Sequence, residues 1–271
     1  MTRKPGLDDG ASIPRIEARL ASAHFDAGKL ERYCQLCGFP GGGEEVPLTY
    51  PMVLATSLYV RILLTREFPF PPLGLIHTGS TIHAHRPLRL ADELTLLCWV
   101  EGHREAKRGI ELDLVTSIEV AEERVWESSN TVLARARGKG RKEPRGTKPR
   151  STGPLPEDAR NETWAVPGNT GRRFARVSGD YNPIHLFGLS AKLFGFKRAI
   201  AHGLWTLARS LAALGSDLPS HGVKVDAEFK RPILLPAEVR FSSHTIPKGM
   251  AFAVSSSDGR TPHLMGRVAR D

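Results

Sequence analysis

The stretch Phe174-Ala175-Arg176-Val177-Ser178-Gly179-Asp180-Tyr181-Asn182-Pro183-Ile184-His185 places a carboxylate and an imidazole five residues apart. Gly179 permits an irregular backbone there, and Pro183 stiffens the segment while biasing Asn182 away from helical dihedrals. A carboxylate and an imidazole held together on a constrained loop can grip one water molecule between them. They can also take and give protons near neutral pH, which is general acid–base chemistry. The same residues equally fit a plain turn, in which Asp180 caps backbone amides and His185 is a surface histidine. Residue types and spacing leave both readings open. Ser178 has no base placed beside it, as a nucleophilic serine requires, so a hydrogen bond within the loop is one role open to it.

Positioning such a pair falls to the elements around it. Leu204, Leu207, Ala208, Leu211 and Leu214 recur at helical spacing between Gly203 and Gly215, which predicts a helix over about 204–214. Its small residues Ala208, Ala212 and Ala213 let a sheet approach closely. Met52 to Leu64 reads as a second apolar helix, bounded by Pro51 and by the breaker Pro69-Phe70-Pro71-Pro72. Strand candidates with turn signals follow each helix: about 74–85, 92–102, 109–120 and 124–136 in one series, then 223–230, 237–246, 250–256 and 263–269 in the other. A local repeat ties the two series together. Arg86–Leu96 aligns without gaps on Arg231–Phe241, with Arg-Pro, one leucine and the glutamate identical. The expected class is α+β, two units in which an antiparallel sheet covers one long helix. They span 1–136 and 163–271, with a basic Pro/Gly-rich linker over 137–162.

Composition narrows the function classes. With 271 residues, 40% of them hydrophobic and 25% charged, the chain is ordinary globular material. No run approaches the roughly 18 apolar residues of a membrane span. Met1-Thr2-Arg3-Lys4-Pro5-Gly6 leads into no apolar stretch, and three cysteines make no disulfide framework, so a cytoplasmic, reduced setting is expected. The net charge of +9 is concentrated, because eight bases lie between Arg135 and Arg150 against one acid, Glu143. That run has no aromatic residue for base stacking and is broken by Gly138, Gly140, Pro144, Gly146 and Pro149, which argues against specific nucleic-acid binding. A solvated linker fits it, as does a recruiter of an anionic partner.

The Ser178–His185 string resembles the signature of MaoC-like, R-specific enoyl-CoA hydratases and 3-hydroxyacyl-thioester dehydratases. In that family a Ser-Gly-Asp-x-Asn-Pro-x-His loop precedes an overhanging helix. Ser178, Gly179, Asp180, Asn182, Pro183 and His185 match it, with an aromatic at Phe174 and a small residue at Ala191. The similarity continues through Leu193–Gly203 and Phe229-Lys230-Arg231-Pro232, covering about 165–271. Overall length and the repeat resemble the double-hotdog members, which carry two hotdog folds in one chain.

The resemblance implies reversible hydration of trans-2-enoyl thioesters to (R)-3-hydroxyacyl thioesters, with no cofactor and no metal. The partner is then an acyl-CoA or acyl-carrier-protein thioester, and the enzyme a monomer whose halves mimic a dimer, or a homodimer. By the same resemblance Asp180 and His185 activate the water, Asn182 supports their loop, and the backbone N–H of Gly203 holds the thioester carbonyl. A helix N-terminus suits that last role, since its free N–H groups and partial positive charge stabilise an enolate-like oxygen. Ser178, Phe194, Ala201, His202 and Trp205 are the expected substrate-binding neighbours; His202, at a helix start, receives no catalytic role. Thioester hydrolysis, as in other hotdog proteins, and a non-catalytic acyl-thioester-binding subunit are the alternatives.

The first unit lacks the motif. Ahead of the Met52 helix it reads Cys34-Gln35-Leu36-Cys37-Gly38-Phe39-Pro40-Gly41-Gly42-Gly43, so one active site per chain is expected. The family resemblance gives this unit the task of accommodating the acyl chain. Cys34 and Cys37 have no second pair to complete a four-ligand zinc site and read as structural thiols. Gly41-Gly42-Gly43 lacks the Lys-Ser/Thr of a phosphate loop. His83 and His85 share one face of a strand, but without an acidic partner nearby no metal site is expected.

Overall fold

The computed structural model describes residues 4, 6, 7, 11–106, 108–135, 155, 156, 158–219 and 221–271. The basic run lies outside these residues apart from Arg135, as does most of the linker over 137–162. The first unit contains β1 (Glu17–Ala23), α1 (Ala27–Cys37), β2 (Glu45–Val46), α2 (Pro51–Leu64), β3 (Leu75–Ala84), β4 (Leu88–Arg89), β5 (Leu94–Ala106), β6 (Gly109–Val120) and β7 (Glu123–Arg135). The second contains β8 (Arg160–Val166), α3 (Thr170–Ser178), α4 (Gly188–Lys192), α5 (Gly203–Leu214), β9 (Val223–Phe229), β10 (Ala237–Ile246), β11 (Gly249–Ser256) and β12 (Pro262–Arg270). All eight expected strands and both long helices form. Pro51 opens α2 rather than merely bounding it, because a first helical residue has no intrahelical acceptor for an N–H to lose.

Alternation decides which side of each strand is buried. Val239 and Phe241 of β10 are fully buried, as are Leu94 and Leu96 of β5, which occupy the same positions in the Arg-Pro repeat. The repeat therefore marks one inward-facing pair in each unit. Leu207, Leu211 and Leu214 of α5, and Met52, Val53, Ala55, Leu58 and Ile62 of α2, belong to the same buried apolar core. Removing such leucines from water contributes roughly 1.5–3 kcal/mol each.

Beside a two-stranded sheet of β2 and β4, the described residues form one large sheet in which the sheets of the two units join edge to edge. Its ten antiparallel strands run β1-β5-β6-β7-β3-β9-β12-β11-β10-β8, and β3 pairs with β9 from Gly79↔Glu228 to Ala84↔Val223. Each strand would otherwise end its unit as an open edge of unpaired N–H and C=O groups, and pairing removes both edges. The last residues of the expected linker, 160–162, belong to β8, which pairs with β10. Arg160, Asn161 and Glu162 are polar at the solvent-accessible start of the strand, while Trp164 and Val166 further along it are buried. No helix among the described residues is long and apolar enough to cross a membrane.

Candidate active site

The residues expected to form a loop before Asp180 are instead the helix α3. Phe174, Val177 and Ser178 lie at helical spacing on its buried face, and Gly179 caps it with φ 78°, a left-handed conformation natural to glycine. Beyond the cap, short-range hydrogen bonds fix the chain. Asp180 N–H donates to Ser178 Oγ (3.2 Å), Asn182 N–H to Asp180 Oδ1 (3.1 Å) and Ile184 N–H to Asn182 Oδ1 (3.4 Å). Pro183 then opens a single 3-10 turn, Pro183–His185. Gly171 lets α3 sit against that turn, since a Cβ there would lie 2.0 Å from the His185 carbonyl oxygen. Sequence inspection gave Gly171 no role, as nothing local marks a close approach between segments.

His185 is a buried residue, not a surface one, at 8% exposure. Its Nδ1 lies 2.9 Å from the Ile200 carbonyl oxygen. A carbonyl can only accept, so the proton sits on Nδ1 and Nε2 keeps its lone pair. His202 lies parallel to it, with ring centroids 3.6 Å apart and an angle of 23°. His202 Nε2–H donates to the Asp180 carbonyl (3.1 Å) and lies 3.7 Å from Asp180 Oδ2, while its Nδ1 is buried without a partner. Burial holds the His185 pKa below its ordinary value, opposed by the Asp180 charge and the bond to Ile200. Burial and the neighbouring His185 push His202 well below the ordinary histidine value. Both rings are therefore neutral near pH 7, the form a base requires. Asp180 Oδ1 also caps the Asn182 amide, as the turn reading expects.

Gly203 is the first residue of α5, and its N–H has no acceptor within the helix. A Cβ there would meet the Phe229 ring at 3.0 Å, so a glycine lets this ring pack against the helix start. The Phe229 ring in turn lies 4.5 Å from that of His77 on β3. Burial pushes His77 down to about 4, with the Asp180 charge opposing, and its Nε2 is buried without a partner. His77 thus reaches the site from the first unit, brought there by β3–β9 pairing that leaves no local trace in sequence. Phe194 lines a cavity of about 350 Å³ with Ile184, Phe196, Phe70, Leu75 and Ile76.

The other expected neighbours are placed differently. Ser178 is buried and accepts from Asp180 within the loop. Ala201 is buried and its N–H donates to the Ile233 carbonyl. Trp205 turns to the first unit, donating its indole N–H to the Leu36 carbonyl on α1 (3.3 Å). In the first unit α1 ends, like α3, on a left-handed glycine, Gly38 at φ 81°. Phe39 and Pro40 follow where the second unit has its Asp-x-Asn-Pro-x-His. Leu30, Tyr33, Cys34 and Cys37 form the buried face of α1, and burial raises both thiols, Cys34 to about 11. They are packed as protonated core residues. The expectation that His83 and His85 lack acidic neighbours is corrected, because Glu127 and Asp271 both reach them.

Residues 148–259 match the family model described as MaoC like domain. The chain is 33% identical to 3-hydroxyacyl-thioester dehydratase X of Mycobacterium tuberculosis, over 94% of this chain and 90% of that protein. It is 40% identical to 3-hydroxybutyryl-CoA dehydratase of Methylorubrum extorquens over 63 residues, covering 22% of this chain and 40% of that one. The crystal structure of HtdX from Mycobacterium tuberculosis superposes with a TM-score of 0.80 at 29% identity, over 93% of this chain and 98% of that one.

Proposed function

As the chain belongs to the MaoC-like dehydratase family, with a double-hotdog fold, we propose that it is a hydro-lyase interconverting trans-2-enoyl and (R)-3-hydroxyacyl thioesters. The observation that carries the reading is that ligand-capable atoms of Asp180, His185 and His202 lie within 4.8 Å of one another, His202 being the residue that immediately precedes the α5 start at Gly203. In hydration, Asp180 and His185 hold one water. His185 Nε2 takes its proton as the water oxygen bonds to C3, and that proton passes to C2, so no atom is gained or lost beyond the water. Negative charge gathers on the thioester oxygen, where the Gly203 N–H donates; one such donor is worth a few kcal/mol, about 10²–10³ in rate. Asn182 and His202 act as positioning residues, one holding the turn and the other stacked on His185 and bonded to Asp180.

The acyl chain enters the 350 Å³ cavity, to which the first unit contributes Phe70, Leu75 and Ile76. Near the catalytic loop, Tyr181, Phe187, Leu189 and Leu193 are exposed beside the exposed bases Arg173, Arg176, Lys192, Lys197 and Arg198. That combination suits the anionic carrier of an acyl-CoA or acyl-carrier-protein thioester, met in the cytoplasm. The experiment is loss of enoyl-thioester absorbance on adding the protein to crotonyl-CoA and to a longer enoyl-CoA. The wild type hydrates at least one, and Asp180→Asn and His185→Ala each lower kcat/KM by about two orders of magnitude or more. Release of free CoA would point to thioester hydrolysis instead. No turnover, or variants at full rate, would favour an acyl-thioester-binding subunit.

A further inference from the structure

On the outer face of the seam between the units, far from the catalytic motif in sequence, five side chains converge. His83 on β3 stands directly opposite Glu127 on β7 and Lys224 on β9. His85 follows two residues later, its ring 3.9 Å from that of His83. Asp271 is drawn in by its N–H, which donates to the Gly222 carbonyl (2.8 Å). His83 has both ring nitrogens against carboxylates: Nδ1 lies 3.3 Å from Glu127 Oε1, and Nε2 contacts Asp271 Oδ2. A neutral imidazole carries one N–H, so its other nitrogen would face a carboxylate lone pair to lone pair. A cation at that point removes the conflict.

We propose that His83, His85 and Asp271 bind a zinc ion that clasps the two units across the β3–β9 seam. One ligand-capable atom from each of the three lies within 4.8 Å of the others. Two imidazoles and a carboxylate are a donor set that suits Zn²⁺, and their partial exposure leaves a position for water. Glu127 then serves behind the metal. His83 coordinates through Nε2 and donates Nδ1–H to Glu127, the carboxylate–histidine–metal arrangement that fixes a ligand's tautomer and orientation. The surrounding charges are compatible. Lys224 pairs with Asp271 Oδ1, leaving Oδ2 for the metal, and Arg124 approaches Glu127 Oε2 (3.8 Å), leaving Oε1 for His83. Asp226, close by, is engaged by Arg267 (2.8 Å). His83, Glu127 and Lys224 also line a cavity of about 290 Å³, room for an ion and its waters.

Zinc chloride titrated calorimetrically into the tag-free full chain tests this without any activity measurement. Asp180, His185 and His202 form a second cluster of possible ligands, so the variants must tell the two apart. The wild type binds one equivalent that His83→Ala and His85→Ala each abolish and His185→Ala keeps, and zinc raises the Tm of wild type but not of the outer-site variants. Glu127→Gln weakens that equivalent about 10- to 100-fold. Circular dichroism of the exposed-site variants checks that they are folded. The proposal is overturned if His83→Ala and His85→Ala bind as many equivalents as wild type. It is equally overturned if wild type binds none.

Discussion

Gly171→Ala separates what local propensity favours from what the tertiary structure requires. In a helix, alanine is preferred over glycine by roughly 0.5–1 kcal/mol, so on propensity alone the change stabilises α3. The tertiary geometry points the other way, because the new methyl would sit 2.0 Å from the His185 carbonyl oxygen and 3.0 Å from its carbonyl carbon. Reaching an ordinary separation of about 3.5 Å needs the gap to open by about 1.5 Å. The obstacle is backbone, not the free end of a flexible side chain, so the 3-10 turn carrying His185 must move with it. His185 is tied at Nδ1 to Ile200 and stacked on His202, and both contacts break over such a distance. A misplacement of about 1 Å can cost about 10²-fold in rate. The expected outcome is a folded protein whose hydration of an enoyl-CoA falls about 10²-fold, mostly in kcat. Gly168→Ala is the control, since its methyl would rest 3.7 Å from Pro236, an ordinary contact. A Gly171→Ala protein with wild-type kcat and an unchanged or raised Tm would refute the claim that this approach positions the histidine.

Three further outcomes follow from the same geometry. Trp205→Phe removes the N–H that satisfies the Leu36 carbonyl, and should lower stability to denaturant by about 1–3 kcal/mol while leaving KM within about twofold; a large rise in KM with unchanged stability would place the indole on substrate after all. The base form of His185 is the neutral one, and burial lowers its pKa, so kcat/KM should fall on acidification only below the ordinary histidine value of about 6.5 and stay level above it. Asp180 favours the protonated ring, so Asp180→Asn should move the His185 titration, followed by NMR, to still lower pH. An acid limb at or above 6.5 would contradict the assignment.

What this sequence determined by itself is local in range. Eight strands, two long helices and the Arg-Pro repeat were legible because period, caps and breakers act over a few residues. The Asp180–His185 motif was legible for the same reason: its Asx-type bonds and its Pro183 turn close within six positions. The helical α3 was also within reach, through Phe174, Val177, Ser178 and the Gly179 cap, and was hidden only by reading the motif as loop. In α1, Asp26, which accepts from Lys29 N–H, and Gly38 gave equivalent signals.

Tertiary structure alone decided the rest. Whether His185 is a surface or buried residue depends on Ile200 and His202 closing over it. His77 joins the site through Phe229, Trp205 leaves it for Leu36, and Gly171 matters through the His185 backbone, fourteen residues away, which no helical period relates to it. His83, chemically unremarkable in sequence, acquires Glu127 and Asp271 through strand register. Each of these contacts joins segments whose spacing is fixed by sheet pairing and core packing, and pairing register is a property of two segments together, written in neither one alone.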